Sequence, residues 1–409
     1  EADTLAQTHV IGFVSPQQKG LDLNINTRNT NLAFLNSFIG GIFADVSGRA
    51  TGPIRLHGPF KALNLEGKAI ASASLKPRIL NTPFRIENDS VILTTEAISL
   101  PHATAFDIDG NPIRLSGKLT HTNLKNMGYD FNLNLDRACF YHTTEYGDMP
   151  FYGKIYGSGN AHLYGGGNEL HLSGDIRTEQ GTTFYYNMSA PTSLTDNNFI
   201  TFIDRTPRPQ QIVVDNLKLF QRTQEEGEED SSPLQVDITA RIDATPNANI
   251  VVLMDSHSND NISAYGSGDI TIHYTNESTT LNGEYTIESG YYDMSIENLI
   301  QKRFHLQSGS TVKFPDNGGE AELDLKAIYT VNSVLLSDLV PEASFNQNSV
   351  KVDCIIKMSG KLNAPVPDFD LELPTINDEE KQLVRSAIST DEQIRTQILY
   401  LLLLGKFYT

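Results

Sequence analysis

The sequence predicts an all-β protein: an elongated, curved antiparallel sheet of repeated hairpin modules forming an open, taco-like apolar groove, with a short helical tail at the C-terminus. Three observations predict it. Apolar residues fall at every second position through most of the chain, as at Leu323, Leu325 and Ala327 and again at Phe369, Leu371 and Leu373. That is the period of strands with one buried face. Glycines recur at fixed spacing across the chain. The last sixteen residues abandon alternation for a dense apolar cluster, ILYLLLL at Ile398–Leu404.

Taken in order, Leu21–Ile25 alternates, and NLAFLNSFIGGI at Asn31–Ile42 spaces its apolar residues as a short helix closed by Gly40–Gly41. Asp45–Leu65 returns to strands, and Pro83–Phe84 and Ser90–Leu100 continue them. Tyr129–Leu135 puts Tyr129, Phe131, Leu133 and Leu135 on one face and Asp130, Asn132 and Asn134 on the other, a half-exposed antiparallel strand. Between strand patterns at 212–220 and 234–243 the acidic run EEGEED (Glu225–Asp230) reads as a solvated loop. Ser337–Asn348 is a second loop. After Pro374 the pattern turns helical at Asp378–Ile388, with Asn377 as its cap. Ser389 with Glu392 opens a second helix that runs toward Leu404 and ends at Gly405.

An internal repeat organises the whole. Gly159, Gly174 and Gly181 recur 109 positions later as Gly268, Gly283 and Gly290; Gly52, Gly67 and Ser74 form a fainter copy, 107 earlier. In every copy the first two glycines are 15 apart and bracket a strand–turn–strand unit. The expected divisions are residues 1–128, a first groove repeat with a short N-terminal helix; 129–243, a second repeat; 244–374, a third repeat with the C-terminal block; and 375–409, the tail. Stacked copies shelter a face that one copy leaves wet. Inward curvature then gives a trough, although the same alternation fits two sheets closed into a sandwich.

Composition excludes several functions. With 50 acidic against 31 basic residues, the net charge of −19 is wrong for nucleic acid or an anionic membrane face. No stretch reaches the roughly 18 apolar residues that span a bilayer. The chain opens at Glu1 inside a strand pattern with no signal peptide, so a targeting segment is expected upstream. Cys139 and Cys354 sit near the apolar period of strands and are expected as buried free thiols. Ten histidines are scattered, and no nucleophile elbow, phosphate loop or metal-ligand spacing appears. The turn DIDGNP (Asp107–Pro112) lacks the ligand spacing of a calcium loop. The expectation is no enzyme activity, no cofactor and no metal.

One set of ordered blocks carries a resemblance: GEYTIESGYY at Gly283–Tyr292, NLIQKRF at Asn298–Phe304, GSTVKF at Gly309–Phe314, LDLKAIY at Leu323–Tyr329, SGKL at Ser359–Leu362, FDLELP at Phe369–Pro374 and the ending LLLLGKFYT. LAFLNSF at Leu32–Phe38, DVSGRATGPIRLHG at Asp45–Gly58 and IDGNPIRLSGKLTH at Ile108–His121 fit the same pattern. Together they resemble the C-terminal domain of the TamB family, the inner-membrane component of the translocation and assembly module, among the AsmA-like proteins that bridge bacterial envelopes.

The resemblance implies a periplasmic bridge segment, anchored in the inner membrane by an upstream helix and lying near the outer membrane. It implies phospholipid acyl chains as cargo and a BamA-family barrel of the TamA kind as partner. It equally supports a scaffold for outer-membrane β-barrel proteins or autotransporters that works by strand addition. The expected groove lining is Ile270, Ile272, Tyr285, Ile287, Leu323, Leu325, Phe369 and Leu371. The expected docking contacts are Leu399, Leu402, Leu403 and Phe407, with Gly405 letting the chain turn into the contact. The competing reading of the tail is a plug for the protein's own trough.

Overall fold

The computed structural model describes residues 7–33, 36, 43–77, 80–144, 151–187, 235–255, 260–296, 300–316, 319–343, 345–362 and 364–409. The strands join one 20-stranded sheet. Nine of them form an unbroken antiparallel meander: β1 (Gln7–Ser15), β2 (Gly20–Asn31), β3 (Phe43–Pro59), β4 (Asn64–Pro77), β5 (Phe84–Leu93), β6 (Ala97–Phe106), β7 (Pro112–Thr122), β8 (Lys125–Thr143) and β9 (Phe151–Gly166). Two shorter strands, β10 (Glu169–Thr178) and β11 (Thr183–Asn187), lie end to end along β9. Beyond them come β12 (Gln235–Ala244) and β13 (Asn249–Asp255), both paired with β14 (Asp260–Thr275). Antiparallel pairing then continues through β15 (Thr279–Ile296), the end-to-end pair β16 (Ile300–Leu306) and β17 (Thr311–Phe314), β18 (Glu322–Leu335), β19 (Ser349–Lys361) and β20 (Val366–Glu372).

One junction departs from the antiparallel expectation. β12 pairs parallel to β10, and β13 parallel to β11. A parallel pair cannot be closed by a tight turn and needs a long return connection. Here residues 188–234 separate the two sides. The strand pattern at 212–220 and the acidic loop at 225–230 lie outside the described residues, as does most of the helix expected at 31–42.

The repeated glycines occupy equivalent hairpins. Gly67 pairs with Ile54, Gly174 with Ala161 and Gly283 with Ile270, in each case two positions beyond the first glycine of its copy. Gly159 shows why the residue is glycine: its φ is +150°, and an added Cβ would collide with the Asp175 carbonyl oxygen on the neighbouring strand.

Two helices close the chain. Asn377 caps α1 (Asp378–Ala387) by accepting the Glu380 amide at 2.9 Å. The capping box of α2 (Asp391–Leu404) is Thr390 with Gln393, one residue later than the expected Ser389 with Glu392. Both pairs have the right chemistry, and the register of the helix selects the second. Gly405, in the left-handed conformation at φ 70°, ends α2.

Candidate functional site

Residues paired across neighbouring strands share a sheet face, so the register shows which side chains line up. Val10, Ile25, Ile54, Gly67, Leu93, Ile98, Leu119 and Tyr129 form one continuous row from β1 to β8. A second row runs Phe131, Leu163, Leu172, Ile238 and Tyr274 through β8 to β14. A third runs Leu115, Leu133, Ala161, Gly174, Ala240, Ile272 and Leu281. The parallel junction does not interrupt these rows, because its register keeps apolar residues opposite apolar residues. One face of the sheet is therefore apolar from end to end.

Its exposure changes along the molecule. On β1, Val10 and Val14 are 50% and 57% exposed. From β2 to β14 most row residues are half-buried, including Ile25, Ile54, Leu133, Leu163 and Ile272. At the C-terminal end the same face is packed shut: Phe304, Leu325, Ala327, Val352 and Ile356 are at most 1% exposed. The cover comes from the helices, since Val384, Ile388, Ile398, Leu401, Leu402 and Phe407 join that core. Burying apolar surface at about 25 cal/mol per Å² is what seats them.

The expected lining residues divide between these regions. Ile272 is half-buried on the open stretch, and Ile270 lies beside it, packed at the margin of the core. Tyr285, Ile287, Leu323, Leu325 and Leu371 are 1–5% exposed inside the closed core, with Phe369 packed against it. Those six belong to a packed interior rather than an open wall. Tyr285 carries an anomaly: its buried hydroxyl has no hydrogen-bond partner among the described residues, and burial raises its pKa. The open wall also includes Leu163, Leu172, Ile238 and Ile242, which the expected set omits. Their signal is the same alternation, in AHLYG, LHLSGDI and VDITARI.

The tail needs a correction. Leu402 and Phe407, expected as docking contacts, are 2% and 1% exposed in the chain's own core. Gly405 turns the chain back beneath α2 rather than outward, and the Gln397 side chain holds the turn. Its amide donates to the Tyr408 carbonyl at 3.1 Å and accepts the Tyr408 amide at 2.8 Å. Leu399 and Leu403 do point outward, 41% and 39% exposed, together with Leu404 at 60% and Tyr408 at 50%.

The opposite face is polar and laced with cross-strand pairs. Arg55 donates to both Asp22 carboxylate oxygens, at 2.9 and 2.8 Å, and holds that carboxyl below its ordinary pKa. Arg303 likewise donates to both carboxylate oxygens of Asp293, at 2.7 and 2.9 Å. Asp107, fully buried, accepts amide hydrogens from Asp109, Asn111 and Cys139 and the Asn111 side chain, so its turn is held by its own carboxylate. Cys139 and Cys354 are buried free thiols; burial pushes their pKa values up to about 11 and about 12. Among the described residues no set of His, Cys, Asp and Glu is placed to hold a metal ion, and no helix is long and apolar enough to cross a membrane.

A long sheet with one apolar face, half-open along its middle and stoppered by its own C-terminal helix, defines the groove-forming class of all-β protein. The TamB C-terminal domain model matches residues 102–409, and the chain belongs to that family. Residues 1–101 lie outside the match, yet β6, which crosses that boundary, pairs with β5 on one side and β7 on the other, with one register shift between Leu100 and Ala103. No curated protein matches the chain. Membership gives it a role in envelope assembly and transport, in a family that works with an outer-membrane partner.

Proposed function

We propose that this chain is a periplasmic bridge segment whose apolar face shelters phospholipid acyl chains between the inner and outer membranes. The observation that carries it is the set of unbroken apolar rows, most of whose residues are half-exposed from β2 to β14, beside a second, smaller core around Ile86, Ile113, Leu135 and Ile176. Such a wall binds apolar length and asks for no convergent polar group. At about 0.8 kcal/mol per buried methylene, a dozen methylenes supply roughly 10 kcal/mol, enough to hold a chain out of water with no chemical step. The exposed apolar strip Leu399, Leu403, Leu404 and Tyr408 supplies the contact for a BamA-type barrel partner.

The test is mass spectrometry of organic extracts from protein purified in its native envelope, alongside the Ile272→Asp variant. Recovery of phospholipid with the wild type and its loss with the variant support the reading. Lipid-free wild-type protein, or lipid unaffected by a charge in the wall, overturns it. A second reading, strand addition to nascent barrel proteins, is favoured by β1 and β20, each paired on one side only among the described residues. Site-specific cross-links from either edge to barrel strands would separate the two.

A further inference from the structure

The polar face carries a depression of about 770 Å³ on β6–β10, β12 and β14, behind the open stretch of the apolar wall. One row of side chains across it runs Arg114, Asn134, Asn160, Asp175, Arg241 and Thr271, set by the register of five neighbouring pairs. The adjacent row runs Ser116, Asn132, His162, Ser173 and Thr239. The two rows are made almost wholly of amide, hydroxyl, guanidinium and carboxylate groups. Between the rows the lining includes Ala103, Leu115, Leu133 and Ala161, so the depression suits a ligand that carries many polar groups together with apolar surface.

Hydrogen-bonding capacity is left over here. The side chains of Asn132, Ser173 and Thr239 have no partner among the described residues. Asn160 accepts from Asn134 at 2.9 Å and keeps its own amide hydrogens. The Arg114 guanidinium reaches only Asn134, at 3.3 Å, and has no carboxylate partner among the described residues, in a chain of net charge −19. Arg241 is paired with Asp269 and lies beside Asp175, which leaves Arg114 as a single guanidinium without a carboxylate among the described residues. One free cation falls short of the clustered basic residues that a polyanion needs. Planar amide and guanidinium groups with spare donors and acceptors suit vicinal hydroxyls, and their repetition across strands suits a repeating polymer.

Two positions along the strands from the second row stand Tyr164 and His171, which with His162 of that row form a wall of rings stacked at 4.8 and 4.9 Å. Beyond it lies a second polar depression of about 420 Å³, lined by residues including Glu169, His171, Asp237 and Asn276. The first depression, which crosses the strands from β6 to β14, is an extended track rather than a closed pocket, and the second lies beside it. We propose that this face binds a linear, uncharged glycan, laid across the strands with its hydroxyls on the Asn134–Asn160 row. The glycan site is separate from the apolar face and does not depend on lipid being its cargo.

The experiment is heteronuclear NMR or calorimetric titration of the full chain with chitohexaose and, separately, maltohexaose. Wild-type protein should bind at least one of them. Arg114→Ala and the double variant Asn134→Ala/Asn160→Ala should weaken that binding by about tenfold or more, the worth of one or two lost hydrogen bonds involving a charged or amide group. These residues lie on a solvated face, so circular dichroism and melting should be unchanged, and phospholipid recovery from the same variants should match wild type. Absence of binding to either oligosaccharide overturns the proposal. So does binding that survives both variants, because the site is then elsewhere.

Discussion

Ile272 and Ile287 occupy the same apolar face, one strand apart, and obey the same alternation, yet one is half-buried and the other 2% exposed. The stretch around Ile272 is not roofed by the helices or by any other described residues of the core. The stretch around Ile287 is roofed by α1, α2 and the returning tail. The sheet itself is alike in both regions, and the difference is made by residues about a hundred positions away. An identical pattern thus serves as an accessible wall in one place and as a packed core in the other. What a strand's apolar face does is decided by its cover.

The largest effect should come from a charge placed on either side of this divide. Ile287→Asp buries an unpaired carboxylate in a closed core and should cost more than about 4 kcal/mol, abolishing the cooperative melting of the C-terminal half. Ile272→Asp should leave melting nearly unchanged while removing bound apolar probe. If both unfold, or both are tolerated, the two regions are not distinct. Next come the inward and outward sides of the C-terminal tail. Phe407→Ala should destabilise by about 3–5 kcal/mol through the cavity it leaves, whereas Leu399→Ala should stay within about 0.5 kcal/mol. Partner pull-downs should show the reverse order, with Leu399→Ala losing contact and a refolded Phe407→Ala keeping it.

Smaller effects sharpen the same boundary. Thr390→Ala removes the cap that starts the roofing helix and should cost about 1 kcal/mol, read as a lower melting temperature. Ser389→Ala should do far less. On the open half, His121 is 5% exposed, its Nε2 has no partner among the described residues, and burial lowers its pKa from 6.5. A depressed pKa means the unfolded chain binds the extra proton, so stability is whole above about pH 6.5 and declines as the pH falls below it. His121→Gln keeps an acceptor for the Leu124 amide, which Nδ1 now takes at 3.3 Å, and should flatten that decline in a pH series of melting curves.

Much of this was legible beforehand because alternation is a local signal. Tyr129–Leu135 and Leu323–Ala327 declare their faces, and the glycine spacing announces hairpins that share a register. Other features were not local. The parallel junction depends on which strand β12 finds on its return, and nothing in VDITARI states it. The choice between docking and plugging at Leu402 and Phe407 depended on Gly405, since a left-handed residue sends the chain backward or outward according to what lies beneath. The cap was ambiguous for a simpler reason. Ser389 and Thr390 both carry hydroxyls, Glu392 and Gln393 both carry acceptors, and only the helix phase separates them.

The shared register of the three glycine hairpins has a consequence for size. Strands in such a sheet lie crosswise, so the distance the protein covers is counted in strands, each adding about 4.8 Å, rather than in residues per strand. One hairpin of the Gly159–Gly174 kind is thus a unit of measure of about 10 Å. Gaining or losing such a unit changes the reach of the molecule while leaving every row on its own face. A sheet assembled this way is a ruler whose graduations are hairpins, and its total length is set by their number.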